Sequence, residues 1–399
     1  AAGIGSVGAA LTGNLPGVAT IASSGQPGEE DPRIYIRGAA AWNQDAQPLV
    51  LVDGVKREIK AVDITSVATI SVLKDASATA VYGVEGANGV ILITTKRGVE
   101  GKARIDVGFN ATLKAVSKLP RKYDSYDAYM LRNQVIENEL ALETGSASWT
   151  FYRPQTFINN FRNQDYTVKP QYNASGSYLG NYSQAERYPN TDWQKEIYQI
   201  APTFEGNASV TGRAGLGKAG FMPYRVSVGY LSQKGVLKTS SMDRATLSFN
   251  LTPTLLDKHL TVALNGKGTY ANSSYANQGA IVAALQMIPF VPARTDTDIN
   301  QFITSLNGYS TWTASNGANN TMACQNPLAL LEQKKDLANT GRFIGNAQFD
   351  YKVHGLEDLS FNLNLGLDYA GSKGINIIDC WMADPKSRDI IGRAIRDDR

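Results

Sequence analysis

The sequence has few of the residues that build metal centres, disulfide frameworks or catalytic sites. Its 399 residues include two cysteines and two histidines. This supply excludes a cysteine-rich zinc site and a disulfide scaffold. His259 and His354 are far apart in the sequence, and each lies beside a predicted turn. The preferred interpretation is that each is a solvated turn residue. No Ser/His/Asp set or carboxylate pair can be assembled around them, so we expect neither an enzyme nor a cofactor.

Long apolar runs and strong net charge are absent as well. Without a run of 18 apolar residues, a bundle of transmembrane helices is excluded. The formal charge of +3 is too small to indicate a nucleic-acid-binding protein. Hydrophobic residues make up 43% of the chain and charged residues 19%, which excludes a disordered polyampholyte. A membrane β-barrel is not excluded. Its strands alternate apolar and polar residues, so its mean hydropathy resembles that of a soluble protein.

The first hundred residues predict a small α+β domain that is complete by about Gly98. Short apolar runs bounded by glycine-rich turns predict four strands. They are Ile34–Arg37, Leu49–Asp53, Thr69–Leu73 and Val90–Thr95. Asp75 is placed to cap a helix over residues 76–83 that stops at Gly83, and Asp63 to cap a shorter helix over residues 64–68.

From Ala103 onwards the apolar residues recur at every second position. The odd positions from 105 to 115 are Ile, Val, Phe, Ala, Leu and Ala. The even positions from 104 to 114 are polar residues or glycine. A helix does not hold this phase, so the pattern predicts two-faced strands. Seven such strands are predicted, at 103–116, 204–216, 222–234, 243–251, 259–272, 340–353 and 358–370.

The connections between these strands alternate between short turns and longer loops. A meander with this alternation places its short turns on one rim and its long loops, here 117–203, 273–339 and 371–399, on the other. Outer-membrane barrels have this asymmetry, with long extracellular loops. A soluble β-sandwich would show similar alternation in one strand, but it does not readily explain such long loops on the same side.

Several segments resemble the plug domain of TonB-dependent outer-membrane transporters, in their SusC/RagA branch of the Bacteroidota. The plug segments are RIYIRG (33–38), LVLVDGV (49–55), ISVLKDASATAVYG (70–83) and GANGVILITTKRG (86–98). Three later segments, at 190–199, 228–251 and 326–332, resemble the first barrel hairpins of the same branch. We therefore expect a plug domain over residues 1–98, a linker over 99–102 and the first part of a transmembrane barrel over 103–399.

The resemblance implies a mainly β protein in the outer membrane. Its large antiparallel barrel would have about 22 strands in full, with the plug in the lumen, so we expect the natural protein to be much longer. It also implies active import of nutrient oligomers, most often oligosaccharides and sometimes peptides. The implied partners are a SusD-like lipoprotein lid, TonB with its inner-membrane complex, and outer-membrane lipid. Nucleic acid is not among them. An outer-membrane receptor without active import is the alternative, and a secreted binding sandwich is the third.

Two turns of the plug domain are the predicted substrate contacts. One loop holds Trp42, Asn43, Gln44 and Asp45, and the turn after Asp53-Gly54 holds Lys56 and Arg57. An exposed tryptophan beside amides and a carboxylate suits sugar recognition, since the ring stacks on C–H surface while polar groups bind hydroxyls. The competing interpretation is that Trp42 packs the plug against the barrel.

Further polar residues have weaker interpretations. Polar positions of the strands carry more basic than acidic residues, and pairing with the plug is the preferred explanation. The basic positions are Arg104, Lys114, Arg213, Arg225, Arg244, Lys267, Arg342 and Lys352, against Asp106, Glu205, Asp350 and Asp368. Cys324 and Cys380 fall in predicted loops on one rim, where pairing and two unrelated thiols both remain open. The glycine-rich run at 212–220 opens no helix and predicts no nucleotide site.

Overall fold

The computed structural model shows a mainly β protein with two distinct sheet systems. It describes residues 7–36, 47–128, 131, 169–182, 190–298, 303–312, 324–378 and 393–398, apart from 15–16, 23, 60–61, 63, 75–79, 99–100, 125–126, 173–177, 218–219 and 290. Nineteen strands, β1 to β19, and four α-helices, α1 to α4, are defined within these residues. Among the described helices, none is both long and apolar enough to span a membrane.

The plug domain is built on a mixed four-stranded sheet with the order β4-β3-β6-β5. Its strands are β3 (Leu49–Val52), β4 (Val55–Lys56), β5 (Val67–Leu73) and β6 (Val90–Thr95). Helix α1 (Val7–Leu11) packs on one face together with β2 (Arg33–Ile36), which pairs with β1 (Val18–Ile21). Because both faces of β3 and of residues 90–93 in β6 are covered, these segments are apolar throughout rather than alternating.

The predicted plug strands are present, and the predicted plug helices differ. The helix expected over 64–68 is wrong, because Ile64–Ser66 is a single 3₁₀ turn and β5 already begins at Val67. Val67 is β-branched and pairs with Thr95 of β6, and this pairing prevails over helix propensity. The other predicted helix spans residues 76–83. Where it was expected to end, the structure has a 3₁₀ segment, Ala80–Gly86, that is broken at Gly83. Asp63 and Asp75, the predicted caps, lie outside the described residues.

The second sheet system is a long antiparallel meander, called the wall below. Its strands pair in the order β19-β18-β17-β14-β12-β11-β10-β7, with the short β13 attached to β11 and β14. The members are β7 (Arg104–Lys114), β10 (Ala201–Gly215), β11 (Phe221–Lys234), β12 (Ser241–Leu251), β13 (Thr254–Leu255), β14 (Leu260–Tyr275), β17 (Lys334–Val353), β18 (Leu356–Ile378) and β19 (Arg393–Asp398). All seven strands predicted from the alternation occur in it.

The register of the wall separates an apolar face from a polar face. Val107, Ala208, Val228 and Leu247 are cross-strand neighbours on one face. On the other face, one row joins Asp106, Ser209, Ser227, Ser248 and Lys267. The plug contacts the polar face, so the apolar face points away from the plug. This arrangement is what the period-two pattern predicts for a lipid-facing barrel wall.

The predicted loop ranges contain more regular structure than expected. Strand β18 continues to Ile378 and β19 follows, so the loop expected over 371–399 is wrong in part. Strands β10, β14 and β17 also extend into the other two predicted loops. Alternation marks only the apolar band of a strand, whereas the hydrogen-bonded ladder continues beyond it. The loops also hold β8 (Lys169–Tyr172), β9 (Tyr178–Tyr182), β15 (Ile303–Leu306) and β16 (Tyr309–Trp312).

The long connections form a packed cap on one rim of the wall. Helices α2 (Trp193–Ile197), α3 (Gly279–Gln286) and α4 (Pro327–Glu332) share one buried apolar cluster. Asn326 caps α4 by accepting hydrogen bonds from the amides of Leu328 and Ala329. The opposite rim has short turns, such as the two residues that join β17 to β18. The long connections on this rim of the wall therefore form a folded layer.

The facing of β7 gives the first testable prediction. Val107 is 77% exposed on the apolar face, whereas Asn110 lies on the polar face, where its amide donates to Glu205 at 3.4 Å. Val107→Arg should cost about 2–4 kcal/mol in lipid and lower assembly. Asn110→Arg should assemble normally, because Glu205 balances the new charge. Heat-modifiable migration of the full-length protein measures assembly, and the opposite ranking would show that the faces are inverted.

Candidate functional site at the plug–wall contact

The hairpin formed by β3 and β4 carries the part of the plug that reaches the wall. Its turn residues, Asp53 and Gly54, have φ angles of 49° and 83°. Two successive positive φ values correspond to a type I′ hairpin turn, for which Asp-Gly is a preferred pair. The Asp53 carboxylate accepts hydrogen bonds from the backbone N–H and hydroxyl of Thr95, at 3.0 and 2.6 Å. These bonds tie the turn to the end of β6.

The hairpin docks on β18 at a glycine. A Cβ atom placed on Gly366 would lie 2.9 Å from Cγ1 of Val55, so a larger residue would push the hairpin off the wall. Beside this contact, the side-chain amide of Asn346 donates to the backbone carbonyl of Asp53 at 3.3 Å. The approach is therefore close, and it requires the absence of a side chain at one position of the wall.

Arg57, just after the hairpin, anchors the plug to the wall electrostatically. Its side chain is 3% exposed and donates to the Asp368 carboxylate at 3.3 Å and to the Gly345 carbonyl at 3.0 Å. Burial lowers the pKa of Arg57, while the charge of Asp368 and their hydrogen bond oppose this shift. A buried guanidinium needs such a partner, because removing it from water without compensation is costly.

The ion pair belongs to a network of four side chains. Two of its ion pairs, Arg57–Asp368 and Arg342–Glu58, join the plug to the wall. Arg342 makes a bidentate pair with Asp368, at 2.9 and 2.7 Å. Its remaining Nη1 donates to Glu58 of the plug at 3.3 Å. Two arginines and two carboxylates balance each other, so the network adds no net charge to the interface. Bidentate geometry fixes the orientation of Arg342 on the wall.

Polar contacts also occur towards both rims of the wall. Near the short-turn rim, the amide of Gly98 donates to the Asn250 side chain at 3.1 Å. Near the long-loop rim, Glu30 accepts from Lys114 at 3.4 Å and from Gln233. The plug is thus held along the height of the wall. The preferred explanation of the basic wall, pairing with the plug, applies to Lys114 and Arg342.

The predicted substrate contacts fall in different places. Trp42, Asn43, Gln44 and Asp45 lie outside the described residues. Lys56 is exposed and pairs with Glu85 of the plug at 2.6 Å. Arg57 donates to Asp368 and Gly345 of the wall, and it also lines a cavity between the plug and the wall. Substrate contact by these six residues stays a prediction.

The remaining sequence candidates carry no metal or ligand chemistry in the described residues. His259 and His354 stack with ring centroids 3.7 Å apart, joining two short turns of one rim. Within the described ranges, no group of three or more His, Cys, Asp or Glu side chains is arranged to hold a metal. The Cys324 sulfur lies 3.3 Å from the Ala283 carbonyl, and burial raises the pKa of this thiol. Cys380 lies outside the described residues, so its pairing stays open.

Two cavities lie between the plug and the polar face of the wall. The first has a volume of about 80 Å³ and lies under the hairpin, between Asp53 and Arg57 on the plug and the residues around Asn250 and Asn346 on the wall. The second has a volume of about 270 Å³ and lies nearer the long-loop rim, beside Glu30. Val62 and Lys267 line both cavities, so the two adjoin.

Comparison with known proteins assigns these two domains to one family. Residues 1–90 match the TonB-dependent Receptor Plug Domain. The TonB-dependent receptor SusC of Bacteroides thetaiotaomicron is 33% identical over 395 residues, which cover 92% of this chain and 34% of that protein. The chain is a SusC-type TonB-dependent receptor sequence. A TonB-dependent receptor of Formosa agariphila is 26% identical over 86% of this chain and 30% of its own length.

The solved structures agree with this fold. The RagAB peptide importer in its closed-closed state has a TM-score of 0.68 at 20% identity, covering 98% of this chain and 42% of that one. The chain spans about a third of the length of the curated relatives it matches. Membership confirms the predicted plug-and-barrel fold and the outer-membrane location.

The buried Arg57 gives a prediction about how firmly the plug is held. Asp368→Asn leaves the guanidinium without its carboxylate, which should cost about 2 kcal/mol of plug–wall docking. Glu58→Gln is the matched control, because Glu58 is 60% exposed and its pair with Arg342 contributes below about 1 kcal/mol. Hydrogen exchange of plug amides in the full-length protein measures both. Equal protection in the two variants would contradict the anchoring role.

Proposed function

We propose that the protein containing this chain actively imports nutrient oligomers across the outer membrane. Its plug closes the barrel at rest and is displaced when energy arrives from the TonB complex. Oligosaccharides are the favoured substrates, in line with the similarity to SusC over 92% of the chain. Peptides are the second substrate class, since the fold is also that of the RagAB peptide importer. A SusD-like lipoprotein would close the outer face of the chamber as a lid.

The separation of the apolar cores is the observation that supports this function. In the described residues, every buried apolar cluster belongs either to the plug or to the wall with its cap. The two domains meet mainly through hydrogen bonds and ion pairs. Water can replace polar contacts at modest cost, whereas separating a shared apolar core exposes surface at about 25 cal/mol per Å². The plug can therefore leave the wall without either domain unfolding.

The alternative is an outer-membrane receptor that binds its ligand without importing it. In such a protein the plug would not need to leave the wall. Tethering the plug at the hairpin distinguishes the two functions, because the tether prevents displacement and leaves the resting structure unchanged.

The hairpin contact suits a disulfide tether. A Cβ atom on Gly366 would lie 3.8 Å from Cβ of Val55, which matches the usual separation of about 3.8 Å in disulfides. The double variant Val55→Cys/Gly366→Cys, in a background with Cys324 and Cys380 replaced by serine, should bind substrate when oxidised but not import it. Reduction should restore import, measured as uptake of labelled maltooligosaccharides or peptides by whole cells.

A second disulfide within the wall serves as the matched control. The hydroxyl oxygens of Ser227 and Ser248 lie 2.6 Å apart on neighbouring strands of the polar face. Ser227→Cys/Ser248→Cys therefore adds a bridge that leaves the plug free, and its oxidised form should import normally. Unimpaired import by the oxidised Val55/Gly366 variant would rule out displacement of the plug at this contact.

A further inference from the structure

Aromatic side chains mark two levels on the apolar face of the wall. Towards the long-loop rim, the exposed rings of Tyr230 and Tyr270 lie at one level, on either side of Ala245. Towards the short-turn rim, Leu260 of β14 pairs with Tyr351 of β17. The ten residue steps from Leu260 to Tyr270, at about 3.4 Å each and a tilt of about 40°, span roughly 25 Å, the height of the apolar band in outer-membrane barrels. The level of Tyr230 and Tyr270 therefore marks the boundary between acyl chains and lipid headgroups.

Polar side chains replace apolar ones on the same face directly beyond this level. One cross-strand row, two residues beyond Tyr270, consists of Asp243, Asn272, Asn339 and Lys373. The next row consists of Lys234, Ser241, Ser274, Leu337 and Ile375. Because the strands are continuous through both rows, these residues remain on the side of the wall that faces the membrane, at the height of the headgroups.

The two rows line a groove of about 400 Å³, called the rim groove below. Asn272 and Asn339 are exposed in it, and their amides offer both donors and acceptors to hydroxyl groups. Leu337 and Ile375 also line the groove and are partly exposed, so they add apolar surface beside these amides. This combination suits an amphiphile with a sugar headgroup.

The charge of this face is positive beyond the tyrosine level. On strands β11, β12, β14, β17 and β18, the charged residues there are one acid, Asp243, and three lysines, Lys234, Lys335 and Lys373. The hydroxyl of Tyr230 donates to Asp243 at 3.5 Å, and three strand spacings, roughly 14 Å, separate this acid from Lys373. Strand β19 adds one residue of each sign, Asp398 opposite Lys373 and Arg396 in the next row, so the excess is unchanged. The groove therefore favours an anionic ligand.

We propose that the rim groove binds the phosphorylated sugar headgroup of a glycolipid in the outer leaflet. Lys373 pairs with the phosphate, Asn272 and Asn339 bind sugar hydroxyls, and the acyl chains lie along the apolar face. The groove continues directly from the face that meets lipid, so a membrane lipid reaches it without leaving the leaflet. A lysine at this height can keep its stem on the wall while its ammonium group reaches the headgroups. The proposal depends on the outer-membrane location and is independent of import.

Competition between two anionic lipids tests the groove. The purified full-length protein in detergent is mixed with equal amounts of monophosphoryl lipid A, which carries a phosphorylated sugar headgroup, and phosphatidylglycerol, which carries a phosphate without a sugar. Native mass spectrometry should show more bound lipid A. Lys373→Gln should weaken lipid A binding about fivefold, the factor expected for one lysine at an anionic membrane surface. Lys352→Gln is the matched control and should leave binding unchanged, because Lys352 is exposed on the polar face near the opposite rim.

A second variant separates recognition of the sugar from recognition of the phosphate. Asn272→Leu/Asn339→Leu should lower lipid A binding and leave phosphatidylglycerol binding unchanged, and it tests the groove even if Lys373→Gln fails to assemble. The proposal is overturned if the two lipids bind equally or if Lys373→Gln behaves like Lys352→Gln. It is also overturned if Lys373→Gln removes a copurifying lipoprotein while lipid A binding persists, because the groove would then be a protein interface.

Discussion

The ion pair between Arg57 and Asp368 is the contact on which the arrangement of the two domains depends. A side chain that is 3% exposed has left water almost completely, and its charge is tolerable only while a carboxylate and a carbonyl face it. The plug supplies the cation and the wall supplies both acceptors, so in the docked, water-excluding arrangement the group is satisfied across the contact between the domains. The docking position of the hairpin, with Val55 against Gly366, follows from this requirement.

The two sheet systems have different surroundings and therefore different sequence patterns. In the plug, β3 and residues 90–93 of β6 are covered on both faces and form continuous apolar runs. In the wall, one face meets lipid and the other meets the plug and water, so apolar and polar residues alternate. Because the apolar cores do not merge, the boundary between the domains is polar, and polar boundaries separate at lower cost. This division makes a removable plug compatible with a stable wall.

The sequence predicted the sheets well and their mutual contact poorly. Strict alternation located seven of the nine wall strands, because a period of two depends only on neighbouring residues. Strand ends were missed where the ladder continues past the apolar band, as in β18 up to Ile378. The contact between Arg57 and Asp368 was missed, because Asp368 is 311 positions further along the chain and no local pattern reveals such a pairing.

The central claim is that the plug is a separate folded unit held to the wall by polar contacts. Hydrogen exchange of the full-length protein in increasing guanidinium chloride tests it most directly. The account predicts that amides of β3, β5 and β6 lose protection together, at a denaturant concentration where β10, β11, β12 and β14 remain protected. Simultaneous loss of protection in both sets of strands would show one cooperative unit and would contradict the account.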